Sequence, residues 1–276
     1  MLLDEFDPNK NAVINAFDLI KPIKDFPRIA VSCFSRVTFE RLRKELNGVP
    51  IASTGMANMD IPIYKAIYNG IEIALFMSYV GAASCIAVLE DVFVMGAEKI
   101  VLFGTCGVLD AGIKDCGIII PDTAVRDEGT SFHYMPASDE MKVNKKYQDE
   151  FIEILNNHKC TYTIGKVWTT DGIYRETREK VKRRKENGCI CVDMECSAVA
   201  ALADFREKEV FHFFYAADNL DNEEWDARSL ANSANVLEKD RIALLAMELA
   251  VRIITAKIET VVVRTCIPYS YEKSGF

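Results

Sequence analysis

The apolar residues of this chain follow two alternating periods. Residues 28–33 are a short β-branched run, and TFERLRKEL behind it sets Phe39, Leu42 and Leu46 at helical spacing. Residues 71–79 alternate as a strand, Gly81 interrupts, and SCIAVLEDVFVMGA has the 3.6-residue stripe of a buried helix. Residues 99–103 read as the next strand, ending at Gly104. Strand then helix returns at 189–192 and in the helix through Ala203, while 160–168 and 210–216 add strands. TREKVKRRKENG is a charged surface helix closed by Gly188, 235–257 is a long final helix, and IETVVVRTC beyond it resembles an added strand or arm. The alternation predicts a three-layer α/β/α fold with a mixed, largely parallel twisted sheet flanked by helices. No repeat, low-complexity run or Pro/Gly-rich linker divides it, so 1–276 reads as one domain with arms at 1–27 and 258–276.

Composition narrows the partners. Half of the residues are hydrophobic and the net charge is −8, which opposes binding to nucleic acid or an anionic membrane. The nine cysteines include no C-x-x-C pair and have no histidine at zinc-ligand spacing, which predicts a reducing compartment and no metal. MLLDEFDPNK lacks the basic start of a signal peptide. The uncharged stretch 73–89 carries Ser78, Gly81 and Ser84 in its middle and reads as strand, turn and helix instead of a membrane span. A cytoplasmic protein is expected.

Several residues have candidate chemistry with a plainer alternative beside it. Gly-Thr-Cys-Gly at 104–107 reads as a strand-end turn whose amides converge on a small oxyanion, or as a simple chain reversal. Glu195 opens a helix, where it either grips a ligand or only favours the helix dipole. Asp218 is an acid or a turn cap, Arg36 an anion ligand or a solvated helix-start side chain. No G-x-G-x-x-G stands between a strand and a helix, which sets a dinucleotide-binding dehydrogenase aside.

Three motifs in order, GTCGVLDAGIKDCGIIIPDTAVRDEGTSFHY, WTTDGIYRET and VDMECSAVAALA, followed by AADNLD, resemble the nucleoside phosphorylase and uridine phosphorylase superfamily over about 28–257. The resemblance implies cleavage of an N-glycosidic bond with phosphate, giving free base and ribose 1-phosphate, in nucleoside catabolism or purine salvage. It assigns phosphate to Arg36, Gly104, Thr105 and Cys106, ribose to Glu195 and Met194, the base to Ile173 and Tyr174, and leaving-group protonation to Asp218. It implies no organic cofactor, only inorganic phosphate as co-substrate, and a homodimer or a hexamer built as a trimer of dimers.

The chain also departs from the pattern. The family's first-strand glycine position is Ser32, its arginine before the G-(S/T)-x-G segment is Leu102, and its Q-x-R pyrimidine reader is missing after Tyr174. The N-terminal arm holds no histidine for a 5′-hydroxyl. The expectation is therefore a purine-leaning phosphorylase, with uridine phosphorylase or a hydrolytic nucleosidase of the same fold as alternatives. A silent nucleoside-binding member is the reading from another class.

Overall fold

The computed structural model describes the backbone of residues 2–230 and 234–265 and the side chains of 3–230 and 234–255. After a 3₁₀ turn at Leu2–Asp4 and α1 (Ala16–Leu19), the order is β1 (Ile29–Cys33), α2 (Arg36–Glu45), β2 (Val49–Met56), β3 (Met59–Tyr68), β4 (Ile71–Met77) and α3 (Ala82–Met95). Next come β5 (Lys99–Val108), β6 (Ile118–Asp127), β7 (Glu140–Lys142), α4 (Gln148–Asn157) and β8 (Tyr162–Thr170). The last elements are α5 (Arg178–Glu186), β9 (Cys189–Asp193), α6 (Cys196–Arg206), β10 (Glu209–Asn219) and α7 (Val236–Thr265).

Period-two side chains build the layers. Val31, Val101, Phe103, Phe211 and Phe213 face α2, α4 and α7, while Ala30, Ile100 and Leu102 face α3 and α6. Both faces of β1 and β5 are thus buried, which is why these strands read as nearly continuous apolar runs. The pairings are mixed as expected: β1 is parallel to β4 and β5, β10 is parallel to β5, and the β2–β3–β4 edge is antiparallel. One feature exceeds the expected open sheet. β5 pairs β10, β10 pairs β6, β6 pairs β8, β8 pairs β9, and β9 returns to β5, so half of the sheet closes on itself.

Two boundaries move. β5 does not stop at Gly104 but runs through Gly-Thr-Cys-Gly to Val108, paired with β10 along the way, so the expected turn is a strand. Helix α7 continues to Thr265 across residues read from sequence as the start of an arm; residues 266–276 lie outside the described ones. At the other end the arm is packed: α1 lies against α3, Phe6 meets Phe205 edge to face, and Arg206 donates to Lys10 O at 2.8 Å.

Candidate active site

The closure of the sheet leaves a gap where strands separate. β10 occupies one edge of β5 throughout; the other edge carries β1 up to the Cys33–Phe103 pair and β9 only from the Val192–Gly107 pair. Gly104, Thr105 and Cys106 therefore have no strand partner on that edge, and the crevice at such a divergence is where open α/β sheets place ligands. A cleft of about 220 Å³ opens there, lined among others by Phe34, Thr105, Gly107, Ile173, Glu176, Met194, Glu195 and Asp218.

Glycine is required here by contact, not by backbone freedom. A Cβ at Gly104 would strike the ring of Phe34 at 2.6 Å, and one at Gly107 would overlap Leu220 and come within 3.1 Å of Asp218 Oδ1. The two glycines let the walls of the cleft close on the strand.

At one end stands Glu195, directly before α6 and only 5% exposed. Its Oε1 accepts the N–H of Gly81 at 2.5 Å, and Gly81 (φ +99°) is the residue that opens α3. The cap of α6 comes from Asp193 instead, whose Oδ2 accepts from the backbone of Glu195 at 2.8 Å and of Cys196 at 2.7 Å. Thr169 Oγ1 donates to Asp193 Oδ1 at 2.7 Å and accepts from the N–H of Ser197 at 3.1 Å. Burial and the charge of Asp193 push the Glu195 carboxyl well above its usual range, against the opposing pull of the Gly81 and Met194 amides. Burial also raises Asp193, offset by the three hydrogen bonds it accepts.

At the other end a β-bulge decides the geometry. The register of β10 against β5 slips between Ala216 and Asp218, which sets Asp218 opposite Gly107 and turns its carboxyl into the cleft. Trp225 Nε1 donates to Asp218 Oδ2 at 2.9 Å. Burial raises Asp218, with Trp225 and Arg228 working the other way. Glu176 is pushed up to about 7 by burial and by Asp218, with Lys180 opposing. Two carboxyls raised by burial thus share this end, Glu176 to about 7.

Of the residues singled out in the sequence, Thr105, Cys106, Ile173, Met194, Glu195 and Asp218 line the one cleft. Gly104 lies just behind it, against Phe34. Arg36 is exposed at the first turn of α2, two residues past the cleft-lining Phe34, and Tyr174 is 93% exposed; neither lines the cleft. Leu102 is fully buried in the core facing α3 and α6 and Ser32 shares a 2.8 Å hydrogen bond with Ser78, and neither lines the cleft. Glu176, Asp193 and Trp225 are absent from the sequence-based set. Asp193 had a local signal, an acid three residues ahead of an apolar helix; Glu176 and Trp225 reach the site only through the fold.

Among the described residues, no group of His, Cys, Asp and Glu is arranged to hold a metal ion, and no helix is long and apolar enough to cross a membrane.

Residues 28–254 match the family model described as "Phosphorylase superfamily". The chain is 24% identical over 146 residues to guanosine phosphorylase of Halorubrum lacusprofundi, covering 53% of this chain and 61% of that protein. It is 27% identical over 147 residues to a DeoD-type purine nucleoside phosphorylase of Bacillus cereus, covering 51% and 60%. The matched region thus spans about three fifths of those relatives' length. Among solved structures, uridine phosphorylase of Vibrio fischeri in complex with 6-hydroxy-1-naphthoic acid superposes with a TM-score of 0.71 at 18% identity, covering 85% of this chain and 98% of that one. Purine nucleoside phosphorylase of Toxoplasma gondii in complex with immucillin-H gives 0.68 at 17%, covering 84% and 95%. These likenesses share the sheet and helix layers described above, and with the family match over most of its length the chain belongs to the phosphorylase superfamily.

Proposed function

We propose that this chain is a pentosyltransferase that cleaves the N-glycosidic bond of a purine nucleoside, with phosphate as nucleophile and no metal or organic cofactor. The observation that carries the reading is the meeting of Thr105, Glu195 and Asp218 around one cleft. In it, Glu195 accepts hydrogen bonds from the ribose hydroxyls, with Met194 beneath the sugar, and Ile173 lies against the base. As the bond between C1′ and the base nitrogen breaks, Asp218 delivers a proton to N7 and a phosphate oxygen bonds to C1′. General acid assistance of this kind is worth roughly 10²–10⁴-fold. Glu176 supports the purine preference, because a carboxyl beside Asp218 can accept from an N–H of the base. Phosphate enters beside Thr105 and Cys106, where one edge of β5 is unpaired, and Arg36, two residues past the cleft-lining Phe34, is the cation proposed to reach it.

The cleft is smaller than the roughly 300–1,000 Å³ typical of enclosed ligand sites, which supports a homodimer or ring of dimers in which a second copy covers the nucleoside. A cytoplasmic location accords with the acidic composition.

One observation favours a second reading, hydrolysis by water. Among the described residues lining the cleft, Glu176, Asp193, Glu195 and Asp218 are acidic and none is Lys, Arg or His. A phosphate dianion is poorly served by such a wall. The test is a panel of adenosine, inosine, guanosine and uridine with and without phosphate, scored for free base and ribose 1-phosphate. Purine release that requires phosphate is expected. Release at the same rate without phosphate assigns hydrolysis, and no release from any nucleoside removes the reading.

A further inference from the structure

Asp218 is held by a neighbour to which the reaction above gives no part. Trp225 is 59% exposed, yet its Nε1 donates to Asp218 Oδ2 at 2.9 Å. Its loop holds it there. Asn219 and Asp226 form an antiparallel bridge, N–H to carbonyl in both directions at 2.9 and 3.2 Å, so the loop leaves β10 beside the carboxyl and returns to it. Leu220 N–H anchors the loop's start to Val108 O at 2.9 Å. From outside, the Arg178 guanidinium donates to the carbonyls of Leu220 at 3.0 Å, Asn222 at 2.7 Å and Glu223.

An indole N–H is a donor only. When Asp218 is protonated, the oxygen that accepts from the indole is the carbonyl oxygen, and the hydroxyl falls on the other. That other oxygen, Oδ1, stands against Gly107 in the cleft wall. We propose that Trp225 is a positioning residue for Asp218, fixing Oδ2 as acceptor so that the transferable proton sits on Oδ1, where the base binds. The inference rests on the N-glycosidic reading.

Among the described residues, the charged and titratable groups around Asp218 are Arg228 and Asp226 after β10, Cys106 on β5, Glu176 before α5 with Lys180 on it, and Asp193 and Glu195 along the same cleft. Trp225 is uncharged, so its indole can be edited without changing any of these groups. Its N–H stabilises the ionised carboxyl, so Trp225→Phe lets the Asp218 proton bind more tightly. Activity that needs the protonated acid then persists to higher pH.

The experiment compares wild type, Trp225→Phe and Asp218→Asn. In kcat/KM against pH for a purine nucleoside, the alkaline limb of Trp225→Phe moves up by roughly half to one pH unit, the worth of one hydrogen bond. Its kcat falls about three- to tenfold with KM little changed, because the proton is no longer confined to Oδ1. Tryptophan emission gives a readout independent of turnover, since Trp168 is fully buried and Trp225 is the other of the two tryptophans. A pH-dependent step in wild type that is missing from both variants is expected. Loss of the step from neither variant, or a Trp225→Phe profile that overlays an active wild type, overturns the proposal. A wild type that shows the step but cleaves no nucleoside supports the Trp225–Asp218 couple and overturns the reaction assigned to it.

Discussion

Gly107 acts through the side chain it lacks. Leu220 and Asp218 Oδ1 occupy the space a Cβ would need there, so Gly107→Ala pushes the carboxyl out of line while the strand around it keeps its pairing. The cost in stability is that of mild overpacking, about 1–3 kcal/mol. With Asp218 as the proposed acid, turnover falls further than this, by on the order of tenfold or more, because a small displacement of such a group is expensive. Thermal melting and steady-state kinetics on the same preparation check this; an unchanged kcat counts against Asp218 as the proton donor. This site was half legible in sequence. Thr105, Glu195 and Asp218 sit in recognisable motifs, but the reason for glycine at 104 and 107 lies in Phe34, Leu220 and Asp218, which are distant along the chain.

At the scale of elements, α5 and the loop after β10 behave as one clamp. The α5 pattern reads from sequence as a solvated charged helix, and most of it is. Its inward side departs from that pattern: Lys180 and Arg184 reach Asp127, Lys185 pairs with Asp221, and the three acceptors of Arg178 are carbonyls about forty residues ahead, in the loop that presents Trp225. Arg178→Ala removes three of the loop's ties to α5 and leaves the Lys185–Asp221 pair. Hydrogen exchange at 219–226 should quicken and KM for the nucleoside rise several-fold, while the fold loses only roughly 1 kcal/mol, since the arginine is largely exposed. Unaltered exchange in the loop would show that the bridge between Asn219 and Asp226, the Leu220–Val108 bond and the contacts of Asp221 hold it without Arg178. The bulge at Ala217 belongs to this scale as well: one extra residue re-aims Asp218, and nothing in A-A-D-N announces it.

For the whole molecule, raised carboxyls tie stability to pH. Glu195 and Glu176 keep protons in the folded chain that the unfolded chain, with ordinary carboxylates near 4.5, has already released. Folding therefore binds protons in this window, and by linkage stability falls as pH rises. The contribution is complete below about pH 4.5 and is lost on passing upward through neutrality, as Glu176 near 7 and the more deeply buried Glu195 ionise. Glu195→Gln keeps the shape and removes the titration at that position. Its melting temperature should decline less than that of wild type between pH 5 and 8, the curves diverging by roughly 5 °C; parallel curves would mean that Glu195 is ionised throughout.

The amphipathic periods of the chain determined the layers, because burial of apolar side chains at spacings of two and 3.6 is a local property that one sequence records. They located β1, α2, α3, α6 and β10 within a few residues, while β2, β3, β6, β7 and α4 carry weaker patterns and were left unread. The closure of β5, β10, β6, β8 and β9 into a ring is a matter of which edges meet, and edges leave no mark on a hydrophobic pattern. From that closure follow the gap beside Gly104–Cys106 and the placing of Glu176 next to Asp218. Residue types announced the chemistry that was available; only tertiary structure decided which groups share one small volume, because proximity between distant segments arises from packing and not from order along the chain.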